Sequence, residues 1–517
     1  MGFLSQRGRN RDETGLGTAF RYGHRSDQIL LRRPELSTQK SRKSSRRPHG
    51  LRNEKTTEQP LPIMTNQKAS SSILQTVLIS QFCMPFMFSG IAVTLPIMGA
   101  EMQASGVALS LVEIVFLGAA GALTLPFGKL ADMTDKQAIY RFGLLSTSLF
   151  TLLLGFVRSI DLFIVLRLCQ GLAFALVVST NMAILTETIP RRKLGKALGL
   201  SIGSVYVGLS VGPFAAGIVT EHLGWRWIYR ITAVVLLLAF VQSVRFLKGR
   251  WRKPAGRFDT AGGLCIVAIL GCWIVGSSTL NRGGLGIALL LAGAALVPLL
   301  ILTERRAHYP ILEFRLFRTN GKLSRALAIQ LFTYSGTFGI PFLFSLYLQV
   351  GRQYSPRDAG FVLMISPVLM AALAPVFGRL SDRFSPRRLA TFGVLSSFVG
   401  SLIATRVSAG MPIYWLYAVL ALHGIGFAMF SSPNMKIIMT SVDRTRTSVA
   451  SALAAGIRSL GMIVSMLLVT LFMSLFVGQA QISADTFPQY LQVMRYSAIG
   501  LAVLGGLSLA LSLKGSR

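Results

Sequence analysis

Acidic side chains are scarce in this sequence: Asp and Glu total 20 among 517 residues, beside four cysteines and five histidines. Few groups are therefore left for metal ligation or nucleophilic chemistry. Cys83, Cys169, Cys265 and Cys272 all lie inside apolar runs, without the spacing of a disulfide framework or a metal site, and are read as packing residues. There is no G-x-x-x-x-G-K-[ST] loop to cradle nucleotide phosphates and no H-E-x-x-H to hold zinc. No enzyme, no cofactor and no metal is expected. Charge is thin overall, at 14% of residues against about a quarter in soluble domains, while 52% of residues are hydrophobic. That balance excludes an ordinary water-soluble domain.

The charge that remains is basic. Lys and Arg number 53, for a formal net charge of +33, which by itself suggests a nucleic-acid binder. Its distribution removes that suggestion, because from Ser72 onward the charges sit in short clusters between apolar runs. Fourteen such runs of roughly 18 to 30 residues extend from 73–97 to 493–513, each long enough as a helix to cross the ~30 Å hydrocarbon layer. Helices are required, since backbone groups in lipid must be satisfied within the segment and the alternating pattern of barrel strands is absent. The expected fold is an all-α integral membrane protein of about 14 transmembrane helices. Its first partner is the lipid bilayer, and no nucleic acid is expected.

Residues 1–71 differ in kind, with 15 basic and 6 acidic residues and no stretch able to pack a core. They read as a disordered basic tail, without the apolar core of a cleavable signal. With this tail in the cytoplasm, the loops on its side of the membrane and the C-terminus hold 28 Lys and Arg, and the opposite loops hold 8. The positive-inside bias thus predicts a multi-pass protein of the plasma membrane with both termini cytoplasmic.

Two loops echo one another. Gly128-Lys129-Leu130-Ala131-Asp132 follows span 2, and Gly378-Arg379-Leu380-Ser381-Asp382-Arg383 follows span 10. Each closes the second helix of a six-helix set, which implies duplicated halves with spans 7 and 8 (260–279 and 285–303) inserted between them. The chain then divides into a tail (1–71), a first six-helix bundle (72–248), the inserted pair with its linkers (249–322) and a second bundle (323–517). In these loops glycine permits close helix approach, and aspartate can accept hydrogen bonds from a neighbouring helix N-terminus. Span 4 carries Arg167 with Gln170-Gly171, and span 5 carries Gly199, Gly208, Gly212-Pro213 and Gly217. Small residues there allow close packing, and the proline removes a backbone hydrogen bond.

In this order the motifs resemble the major facilitator superfamily, and within it the fourteen-helix drug:proton antiporter branch. The loops are similar to its G-x-L-A-D-R-x-G-R-K signature, span 4 to its R-x-x-Q-G, and span 5 to its antiporter glycine–proline pattern. Weaker matches support the branch, among them Gly224-Trp225-Arg226 entering span 6 and Arg458 with Gly461 in span 13. The resemblance covers roughly residues 73 to 513. It implies two pseudo-symmetric bundles rocking about a midplane site, and a role in proton coupling for Arg167. The expected function is proton-coupled efflux of a drug-like or amphipathic small molecule by a monomeric secondary active transporter. An uptake carrier for a small, possibly anionic solute stays open, as does a receptor or lipid-handling protein.

Two departures bear on mechanism. Met133 and Asp135 replace the usual arginine and glycine of the first loop, and Met87 occupies the place of an acid common in span 1. Glu113 is then the only acid well inside an apolar run. A carboxyl withdrawn from water there suits proton exchange, whereas one near the outer interface would simply be hydrated. Arg167 is likewise open between a coupling role and snorkelling to the outer surface. Gln81, Asn181, Gln330, Tyr334, His423, Asn434 and Arg458 are candidates to line a substrate cavity; the polar groups can equally bond a neighbouring helix.

Overall fold

The computed structural model describes residues 67–247, 259–282, 284–306, 318–443 and 446–514. The expected tail lies outside them except at its end, where a correction is needed: the first helix begins at Gln67, so residues 67–71 are helical. The linkers 248–258 and 307–317 also lie outside.

The described elements are helices, and their only β pairing is a single bridge between Ser105 and Gln481. The first six are α1 (Gln67–Glu101), α2 (Gly106–Met133), α3 (Lys136–Leu154), α4 (Ile160–Thr188), α5 (Arg191–Leu223) and α6 (Arg226–Phe246). A hairpin follows, α7 (Thr260–Ser278) and α8 (Gly284–Arg306). The remainder are α9 (Gly321–Thr337), α10 (Ile340–Leu346), α11 (Pro356–Leu363), α12 (Ile365–Arg383), α13 (Pro386–Ala404), α14 (Ile413–Thr440), α15 (Thr447–Phe476) and α16 (Phe487–Leu513). Thirteen helices are long and apolar enough to cross a bilayer, counting Gly321–Gly351 and Pro356–Arg383 as one each. The fourteenth, α13, spends part of its first turn on Arg387 and Arg388. The protein is an all-helical membrane protein.

Short connections are possible because side chains cap the helices where the chain turns. Ser105 accepts from the Ala108 amide at 3.1 Å, and Asn320 from the Leu323 amide at 3.0 Å. Asp135, the departure in the first signature loop, accepts from the Gln137 amide at 2.9 Å and caps α3. Each cap satisfies a donor that the first turn leaves unpaired.

Sequence predicted unbroken spans 9 and 10, and both are broken. Span 9 turns at Phe338–Gly339, resumes as α10 and ends in a single π turn, Tyr347–Gly351. The Gly339 amide donates to the Ser465 hydroxyl at 2.9 Å, which removes the cost of an unpaired group at membrane depth. Span 10 divides at Met364 into α11 and α12.

Helix pairing repeats along the chain. In the first set α1 packs on α5 and α6, α2 on α4, and α3 on α4 and α6. In the second set α9 packs on α15 and α16, α12 on α14, and α13 on α14 and α16, which are the same pairings position for position. The sets meet where α2 lies against α15 and where α5 lies against α11 and α12. The inserted α7 packs on both α2 and α15, with α8 outside it.

Candidate functional site

A stripe of α5 defines the space between the two sets. Residues 195, 199, 203, 206, 210, 213 and 217 recur at helical spacing and so share one face. On the half of α5 away from its start, this face touches the other set. The Ser210 hydroxyl donates to the Pro367 carbonyl at 2.9 Å, and a Cβ added at Gly217 would lie 2.6 Å from the Pro356 carbonyl oxygen. Gly360 packs equally tightly on Pro213. The same half is closed by Gln349, whose Nε2 donates to the Val93 carbonyl at 2.8 Å, and by Ser345, which donates to the Ala92 carbonyl. A continuous apolar core including Leu95, Met98, Phe342, Leu346 and Met466 runs through this closure. Toward the start of α5 the contact ends: Gly195, Gly199 and Gly203 have no atom within 4 Å of where a Cβ would stand. A cleft therefore opens along α5 toward the face that carries the Gly128 and Gly378 loops.

Tyr206 stands where contact gives way to space. It is in electrostatic range of Tyr334 on α9, and so is the guanidinium of Arg458 on α15. Tyr206 and Arg458 are half-buried, and Tyr334 is 9% exposed. Phe427 meets the Tyr334 ring edge-on at 4.8 Å, and Phe88 stacks on Phe338 across the two sets at 4.9 Å.

A second polar cluster is sealed inside the first set. Glu113, Arg167 and Tyr229, from α2, α4 and α6, are 3%, 1% and 1% exposed. The Arg167 Nε donates to the Val112 carbonyl at 3.1 Å and Nη1 to Gln170 Oε1 at 2.7 Å. Gln170 Nε2 in turn donates to Thr151 Oγ1 at 2.7 Å. The guanidinium stacks 4.2 Å over the Phe116 ring. Gly171 allows this, since a Cβ there would lie 2.7 Å from the Phe116 carbonyl oxygen. Glu113 is in electrostatic range of both Arg167 and Tyr229 without a direct ion pair. Among the described residues the Arg167 Nη2 and the Tyr229 hydroxyl find no hydrogen-bond partner. Both charged side chains, Arg167 and Glu113, are withdrawn from the molecular surface in this conformation. Neither Tyr229, which closes the Gly224–Tyr229 stretch at the start of span 6, nor Thr151 was a site candidate from sequence; Thr147 and Thr151, four apart on α3, were the available signal.

The other predicted residues fall elsewhere. Asn181 Nδ2 donates to Gln81 Oε1 at 3.1 Å, and Gln81 Nε2 to Ser201 at 3.3 Å, tying α4, α1 and α5 together. Gln330 Nε2 donates to the Ala454 carbonyl at 2.5 Å and Asn434 Nδ2 to the Ala326 carbonyl at 3.3 Å, within the second set. His423 is buried between Ser401 (3.2 Å) and the Val419 carbonyl (2.8 Å), packing α14 on α13. Gly208 and Gly212 do meet α1 closely, at the Phe82 carbonyl and, at 2.6 Å, the Phe86 carbonyl. The two loop glycines differ: a Cβ at Gly378 would lie 3.1 Å from the Ser432 hydroxyl oxygen, a tight approach, whereas one at Gly128 would meet only the Ser179 Cβ at 3.9 Å, and on α5 Gly199 has no atom within 4 Å. Asp382 pairs with Lys436 on α14 at 2.6 Å and not with a helix N-terminus, and Arg383 is exposed. The side chain of Asp132 lies outside the described residues.

This paired-helix architecture, closed at one face and cleft at the other, agrees with the comparison to known proteins. The Major Facilitator Superfamily model matches residues 77–466. The chain belongs to the major facilitator superfamily. Within this superfamily it is 26% identical over 388 residues to the riboflavin transporter RibZ of Clostridioides difficile (strain 630), covering 74% of this chain and 83% of that protein. It is also 26% identical over 347 residues to multidrug resistance protein 3 of Bacillus subtilis (strain 168), covering 65% of this chain and 66% of that one. Among solved structures, a bacterial homolog of the human lysosomal transporter Spinster, in an inward-facing and unoccupied conformation, superposes with a TM-score of 0.61. It covers 87% of this chain and 98% of that one at 14% identity, a likeness of fold alone.

Proposed function

We propose that this superfamily transporter exports drug-like or amphipathic compounds in exchange for protons, by rocking its two bundles about the apex of the cleft. The observation that carries the reading is the α5 stripe, shut on one half and open on the other, as an alternating-access machine requires in one of its two states. The bundles in this reading are residues 72–248 and 323–517. The basic loops put the open face in the cytoplasm, so this state receives solute from inside the cell. A multidrug resistance protein among the relatives favours efflux. Glu113 is proposed as the proton carrier, with Arg167 and Tyr229 beside it to respond to its charge. The Gly128, Asp132, Gly378, Asp382 and Arg383 loops are proposed to stabilise the closed inner face in the opposite state.

Purified protein in proteoliposomes with an imposed pH gradient tests this. Accumulation of a cationic dye should follow the gradient and collapse when it is dissipated. Dye movement indifferent to the gradient refutes proton antiport. A second reading, uptake of a small solute, anions included, is favoured by the riboflavin transporter relative and by the two cations within spans, Arg167 and Arg458. It predicts solute entering with the protons instead of against them.

A further inference from the structure

Arg458 lies eleven residues into α15, about 16 Å along the helix axis from Thr447, and so near the middle of the hydrocarbon layer. A cation at that depth is costly unless something answers its charge. The ion pairs among the described residues join Lys136 to Glu187, Arg226 to Glu101 and Lys436 to Asp382, and none reaches Arg458. The one buried acid at comparable depth, Glu113, lies beside Arg167. Nor is Arg458 spent on helix packing alone. Its neighbours on the same face, Ala454 and Gly461, make the contacts to α9: Ala454 accepts from Gln330, and a Cβ on Gly461 would lie 2.7 Å from the Tyr334 Cβ. The close packing of Gly461 on Tyr334 places Arg458, one turn away on the same face and half-buried, in electrostatic range of the Tyr334 hydroxyl, to which Tyr206 is also near.

We propose that Arg458, Tyr334 and Tyr206 form an anion-binding subsite, taking the carboxylate or sulfonate of an aromatic organic anion that enters from the cleft. A planar guanidinium flanked by phenolic donors matches a carboxylate in geometry as well as in charge. The rings of Phe427 and of the Phe88–Phe338 stack give the aromatic body of such a compound an apolar wall. The inference rests on the cleft as the substrate path and deepens that reading by assigning a substrate class.

Binding of carboxyfluorescein, with rhodamine 6G as the cationic comparison, is measured by fluorescence anisotropy on the full-length protein in detergent. Arg458→Gln should weaken carboxyfluorescein about tenfold or more, the worth of a charge-assisted pair, and leave rhodamine 6G unchanged. Arg458→Lys should restore part of the loss, and Tyr334→Phe should weaken the anion alone. If Arg458→Gln does not fold, Arg458→Lys decides: anion binding weakened several-fold with the cation unmoved supports the subsite, and equal change in both overturns it. Undiminished anion binding in Arg458→Gln, no anion binding to the wild type, or displacement of the dye by phosphatidylglycerol, which would make a lipid headgroup the occupant, each overturns it. Because the measurement uses no gradient, gradient-driven export can fail while the subsite stands, and the reverse.

Discussion

Glycines of one helix are expected to behave oppositely when replaced by alanine, because one face of α5 packs on α1 while the opposite face, toward its start, is open. At Gly212 a Cβ would lie 2.6 Å from the Phe86 carbonyl oxygen and 3.2 Å from the Gly90 amide nitrogen, both backbone atoms that no rotamer change can move. The α1–α5 pair must then part by about half an ångström. A gap of that order forfeits a quarter or more of each contact along the interface. Overpacking of this kind costs about 1–3 kcal/mol, of which alanine's better helix propensity returns at most about 1 kcal/mol. With the full propensity gain returned, Gly212→Ala is therefore expected to destabilise this state by up to about 2 kcal/mol. Gly203→Ala meets no atom and keeps the propensity gain, so its melting temperature should equal or exceed that of the wild type. A thiol-reactive dye in detergent reads this directly, since Cys83 is buried on α1 beside the strained contact and becomes reactive on unfolding. Equal melting of Gly212→Ala and wild type, or the same loss in both variants, would refute the argument.

The remaining expectations concern the charges and the closed face. Glu113→Gln should express and fold normally yet move dye without regard to a pH gradient; coupling that survives unchanged would falsify the assignment of Glu113. Gly360→Val forces a side chain into the Pro213 backbone. It should spring the closed face, seen as faster alkylation of a cysteine placed at Val93, and unaltered alkylation would show that the contact does not hold that face. Asp382→Asn removes a pair whose side chains are 72% and 38% exposed, so its loss should cost no more than about 1 kcal/mol in thermal stability, and a larger loss would point to a network beyond Lys436.

The helices were legible because a hydrocarbon layer of fixed thickness writes a length into the sequence. The turns at Phe338–Gly339 and Met364 were not, since hydropathy records where a chain is buried and not where its backbone ladder is interrupted. Within the clusters, Arg167 and Gln170 could be associated because three residues bring side chains together on a helix. Glu113, Arg167 and Tyr229 come from three helices, and no spacing in the sequence encodes their meeting. Gly199 and Gly212 belong to one motif and look alike on paper. One faces open space on the stripe between the bundles and the other the α1 backbone of its own bundle, because thirteen residues carry the chain to a different face of the helix. Tyr206 escaped notice for a related reason: an aromatic in a span is ordinarily a lipid or interface residue, and only the small-residue stripe at helical spacing marks the face it shares.

The inserted helix pair makes a pseudo-symmetric molecule unequal toward its surrounding lipid. One seam between the bundles, α2 against α15, is covered by α7 and then α8, whereas the other, α5 against α11 and α12, has no inserted helix over it among the described residues. A hydrophobic compound dissolved in the bilayer thus meets one screened entrance and one bare one. Were substrate to enter from the bilayer, its access would be one-sided, by the seam that holds the glycine stripe of α5.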